Sequence, residues 1–138
     1  MGHLVKAIAG FGVVLLGACA VLDMPEAPEG MRLFGENCAA CHGTDARGAG
    51  PETLGIGKVP PDLTRLQAAN DGVFPTAYVL SVIDGYETGT HPGRVMPEFG
   101  EDMGGTLVPL DVEGVSTPTP RALVAVLRYL EDLQVAAE

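Results

Sequence analysis

Apolar residues are distributed along the chain in two distinct ways. From Ala7 to Ala18 (AIAGFGVVLLGA) they are nearly continuous, whereas further on they recur at intervals of three and four, the mark of a helix with one buried face. The spacing predicts a first helix from about Glu29 to Asn37, with Met31, Leu33 and Phe34 as core positions. A second follows from Pro75 to Asp84, carrying Tyr78, Val79, Val82 and Ile83 and ended by Gly85. The strongest pattern is the last. Thr119 is placed to cap it and Pro120 to begin it, and Leu123, Val126, Leu127, Leu130 and Leu133 form its stripe through to Gln134. Between these helices, Thr44 to Gln67 holds Gly48, Gly50, Gly55, Gly57 and Pro60-Pro61, which predicts a long shaped loop with a short helical turn at Leu63 to Gln67. No segment alternates strongly enough to argue for a sheet, and Val108 to Val115 reads as at most a brief hairpin. The expected fold is all-α, one domain of three to four helices joined by Gly- and Pro-rich loops.

The continuous apolar stretch has a different origin. It is shorter than the ~20 residues that comfortably span a bilayer, and Lys6 precedes it, so it reads as a signal peptide over residues 1–18. Leu16-Gly17-Ala18-Cys19 resembles a bacterial lipobox, which makes lipidation of Cys19 the favoured expectation. Cleavage after Ala20 and retention as an anchor are the alternatives. Residues 19–28, rich in Pro and Glu around Asp23 to Glu29, then read as a short stiff tether to a domain at 29–138. The expected location is the periplasmic side of a bacterial membrane, lipid-anchored, or else soluble in the periplasm.

Charge narrows the partners. Without Lys6, seven of the eight basic residues face all eighteen acidic ones, a formal charge of −11. Such a surface excludes nonspecific binding of nucleic acid and disfavours adhesion to anionic lipid. With four Phe, three Tyr and no Trp, the side chains supply a modest core, and a large apolar cofactor would add to it.

Cys38-Ala39-Ala40-Cys41-His42 supplies that cofactor. Two thiols three residues apart on a helical turn reach the two vinyl groups of one porphyrin, and the following imidazole lies beneath the iron. A thioredoxin-like pair would open a helix after a strand, and a zinc site would need further ligands beyond His91, so neither competes well. Covalent haem c, attached through Cys38 and Cys41 with His42 as proximal ligand, is the expectation. The distal ligand must come from another part of the chain. Met96, in Arg94-Val95-Met96-Pro97-Glu98-Phe99-Gly100, stands outside any apolar helical stripe and is the first choice. His91 and Met103 are its rivals, while Met24 and Met31 precede the haem motif.

The order of helix, CxxCH, Gly/Pro-rich loop, helix, Met-Pro loop and terminal amphipathic helix resembles the class I cytochrome c fold from about Pro28 to Gln134. Leu33 to Gly43 is the strongest local match, and Pro61-Asp62-Leu63-Thr64 is a weaker one. The resemblance implies that Gly30 and Phe34 of the first helix pack on Val126 and Tyr129 of the last. It also implies that the carbonyl of Pro51 accepts the Nδ1 proton of His42. Lys58, Arg65 and Arg94 become possible propionate partners, and Tyr78 and Tyr86 possible pocket hydroxyls. With both faces of the iron ligated there is no open position for a substrate, so the expected function is one-electron transfer between redox protein partners, by a monomer and without catalysis. The same chain as a fixed haem subunit of an oxidoreductase complex is the alternative. An enzyme or gas sensor would instead need a labile distal site.

Overall fold

The computed structural model describes residues 23–48, 59–86 and 96–136. The expected signal peptide and Cys19 lie outside them. Among the described residues, no helix is long and apolar enough to cross a membrane.

Helix α1 (Ala27–Asn37) begins two residues before the expected Glu29, with Pro28 in its first turn, where a missing N–H costs nothing. Ahead of it the chain lies against the domain. Pro25 is buried, and the Arg121 guanidinium bonds the Asp23 carbonyl and the Glu29 carboxylate, the latter at 2.8 Å. Gly30 and Phe34, four residues apart, share the buried face. Met31 is 56% exposed and is not a core residue, because it lies ~100° round the helix from Gly30. The helix does not run unbroken into the cysteines. Cys38 leaves helical geometry (φ −120°, ψ −34°) and a separate turn, α2 (Ala39–His42), follows.

Helix α3 (Thr76–Asp84) buries Val79 and Ile83 and stops at Gly85, whose φ of 98° suits a residue without a side chain. Tyr78 faces out. Helix α4 (Arg121–Asp132) is central, and its buried set is wider than the predicted stripe: Leu123 to Leu127 and Leu130 are all covered. The reason is that α4 packs on α1 along one side and on α3 and a hairpin along the other. Gly30 sits at the α1–α4 crossing. A methyl group there would overlap the Ala125 carbonyl and lie 2.7 Å from Cβ of Tyr129, while the rings of Phe34 and Tyr129 pack tilted at 54° with centroids 5.3 Å apart. Of the expected quartet, Gly30, Phe34 and Tyr129 meet at this crossing, and the residue of α4 nearest Gly30 is Ala125.

The hairpin is larger than expected and qualifies the all-α reading. Strands β1 (Leu107–Val112) and β2 (Val115–Pro120) pair antiparallel around Glu113-Gly114, both at positive φ (54° and 82°), a type I′ turn. Asp111 accepts a hydrogen bond from the Gly114 amide at 3.0 Å. Prolines 109, 118 and 120 hide this strand pair in the sequence. A two-residue loop closes on a hydrogen-bonded pair and the pairs then alternate, so all three prolines fall at positions whose amides point away from the partner strand. They also remove donors from the open edges, which protects a two-stranded sheet from further strand addition. Val108, Leu110 and Thr119 face the core. Thr119 is therefore not a helix cap: it is 2% exposed, and its hydroxyl donates to the Thr117 carbonyl at 3.0 Å.

Candidate functional site

Helix α2 carries the chemistry. His42 is buried, Cys38 and Cys41 are free and half-buried, and Ala39 packs into the core, which turns the three reactive side chains through one helical turn. Gly43, at φ 77°, ends the turn immediately after the imidazole.

The chain then folds back tightly. The Gly48 amide donates to the His42 carbonyl at 2.8 Å, and the Leu63 amide donates to the Ala46 carbonyl at 2.9 Å. Gly48 has a φ of 86°, and a side chain there would overlap the Pro60 carbonyl, so only glycine lets residues 60–63 lie this close to the histidine. Asp62 holds the adjoining 3-10 turn (Leu63–Arg65), accepting from the Thr64 amide at 2.9 Å and its hydroxyl at 2.6 Å. These bonds hold the Asp62 carboxyl below the usual range. From the far end of α4, Gln134 donates to the carbonyls of Leu63 and Leu130 and accepts from the Gln67 amide at 2.8 Å. The terminal helix thereby braces the segment that flanks His42.

Nδ1 of His42 is buried without a hydrogen-bond partner. Burial lowers the imidazole pKa, and a backbone interaction with Pro61 opposes that shift while falling short of a formed hydrogen bond. A buried nitrogen left unpaired is costly in the bare chain. It fits a histidine whose other nitrogen binds a metal, since coordination fixes the proton on Nδ1 and strengthens it as a donor. Burial, with a smaller contribution from Cys41, pushes the Cys38 thiol up to about 11. The thiol is therefore protonated at neutral pH. The donor set suits covalent haem: two thiols and one buried imidazole within five residues, and no grouping of three or more His, Cys, Asp or Glu for another metal among the described residues.

The remaining site expectations divide. Met96 is half-buried and packs against the core at the start of a segment seated on the end of α3. Met103 is 7% exposed within the core itself. Arg65 is exposed, as are Tyr78 and Tyr86, the last at 88%. Pro51, Lys58, His91 and Arg94 lie outside the described residues. The residue that reaches the imidazole is Pro61, whose signal in the sequence is the Pro61-Asp62-Leu63-Thr64 match; Gly48 and Gln134 carry no sequence signal for supporting it. Two clefts of about 200 and 280 Å³ run beside α3, the hairpin and α4, and neither is lined by Cys38, Cys41, His42 or Met96.

A family model described as cytochrome c matches residues 27–133, more than three quarters of the chain. No curated protein and no solved structure matches it.

Proposed function

The chain belongs to the cytochrome c family, whose members bind haem c covalently and transfer electrons, and from that premise we propose a periplasmic one-electron carrier with His42 and Met96 as axial ligands. The observation that supports this reading is the α2 turn with Cys38 at its N-terminal boundary, which brings two thiols to a buried imidazole with an unsatisfied Nδ1. Haem c, joined to Cys38 and Cys41 by thioether bonds, supplies a one-electron Fe(III)/Fe(II) couple when bound.

The chain's own residues set the conditions for that couple. His42 presents Nε2 while Pro61 stands next to the imidazole to receive the Nδ1 proton, which would fix the ring's orientation and raise its basicity. Met96 contributes soft thioether sulfur, which favours the reduced state and closes the distal face to substrates. Burial of His42 against the hydrophobic core would lower the reorganisation that accompanies each electron. An acidic surface of formal charge −11 after loss of the leader then suits brief docking on a basic redox partner through a small interface.

Carbon monoxide tests the carrier reading. The reduced holoprotein should keep its spectrum under the gas, because both axial positions are occupied by the chain. Ready formation of a carbon monoxide adduct would overturn it in favour of an enzyme or sensor with a labile distal ligand.

Membrane attachment rests on Cys19. Cells fed labelled palmitate should incorporate label into the wild-type chain and none into a Cys19→Ser variant. An unlabelled wild type would eliminate the lipoprotein reading and leave cleavage after Ala20 or a retained anchor.

A further inference from the structure

The end of α3 and the segment that follows Met96 are joined more closely than chain connectivity demands. The last carbonyls of a helix have no partner within it, and here two of them are satisfied by the Met96 segment. The Phe99 amide donates to the Ile83 carbonyl at 2.9 Å, and the Gly100 amide donates to the Asp84 carbonyl at 3.2 Å. Two glycines permit the approach. A Cβ at Gly85 would lie 2.6 Å from Cγ of Glu98, and a Cβ at Gly100 would overlap the Asp84 carboxylate and lie 2.7 Å from its backbone carbonyl. Phe99 packs against the core, and the Met103 amide returns to its carbonyl at 2.8 Å, so the segment is held on both sides.

We infer that Gly100 is a positioning residue, and that the Phe99–Ile83 and Gly100–Asp84 hydrogen bonds form a latch on α3 that holds Met96 at the distal face of the haem. The inference rests on the reading of Met96 as axial ligand. Only Pro97 and Glu98 separate Met96 from Phe99, a span of ~10 Å at most, and Pro97 has a fixed φ, so a displacement at Gly100 reaches the thioether with little slack. Behind the latch, Val79 and Ile83 anchor α3 in the core. The path from core to sulfur is continuous.

Gly100→Ala in the haem-loaded protein tests the latch. A side chain there must push the segment off Asp84, and an overlap of this kind weakens the seating enough to raise the affinity of added imidazole for ferric haem by about tenfold. The red-end Met-to-iron absorption should weaken in parallel, while far-ultraviolet circular dichroism stays that of the wild type. Imidazole affinity and absorption equal to wild type would overturn the proposal. Hydrogen exchange on the unmodified protein gives a test that needs no variant to fold. Because coupling is reciprocal, imidazole that displaces Met96 should speed exchange at the Phe99 and Gly100 amides, and unchanged protection would also refute the latch. Met96→Ala separates the two levels. If that variant keeps the wild-type absorption, the ligation reading has failed and the latch with it. If it loses the absorption while Gly100→Ala behaves as wild type, only the latch has failed.

Discussion

Replacing Met96 by Ala should remove the weak Met-to-iron absorption near the red end of the ferric spectrum and lower the reduction potential by on the order of 0.1–0.2 V, a fraction of the ~0.8 V that axial ligands command. The direction follows from ligand softness. Thioether sulfur stabilises the ferrous state, and water or a harder donor in its place stabilises the ferric state. The distal face would then admit carbon monoxide, so two unrelated readouts should change together. The Met103 thioether is poorly placed to compensate, because it is 7% exposed within the core and its amide is tied to Phe99. A variant that keeps the Met-to-iron absorption would shift the assignment to Met103, and one unchanged in potential where the wild type also lacks that absorption would shift it to His91.

Removing both thiols, Cys38→Ala with Cys41→Ala, should have the largest effect on stability. Haem would no longer remain with the polypeptide on a denaturing gel, since the thioether bonds are its only covalent attachment. Folding should suffer as well. The buried set among the described residues is mostly aliphatic, with Phe34 the one aromatic residue fully inside, so a porphyrin's apolar surface would add substantially to the core. A group bound only by the folded state at about a thousandfold above its dissociation constant adds ~4 kcal/mol. Its loss would lower the melting temperature by roughly 15 °C in a domain of this size. Haem staining that survives denaturation in the double variant would contradict attachment through this pair.

The parts of the fold that were legible in the sequence are those whose determinants are close together in the chain. The α4 stripe is a local periodicity, and the spacing from Cys38 to His42 is itself what thioether attachment and proximal ligation require. Elsewhere the local signal was ambiguous. Met31 and Phe34 both fit a helical face on spacing alone, and only the position of α4 decides that Gly30 and Phe34 point inward and Met31 outward. The hairpin was masked because three prolines count against strands, although Glu113-Gly114 between LVPLDV and VSTPTP was available as a turn signal. Its prolines are harmless only in the observed register, and register is a property of the pair of strands.

What the sequence by itself determined is the chemistry of haem attachment: two thiols and an imidazole in the five residues Cys38 to His42. Those requirements act over a few residues, so they are written as spacing. The tertiary structure alone decided the surroundings of that chemistry. It placed Pro61 beside the imidazole through a close approach that Gly48 allows, braced residues 63–67 with Gln134 from the far end of α4, and seated the Met96 segment on the last carbonyls of α3. Each of these contacts joins residues far apart in the chain, through backbone groups that every residue carries alike. Composition and periodicity hold no record of which of those groups will meet; packing around α4 selects them.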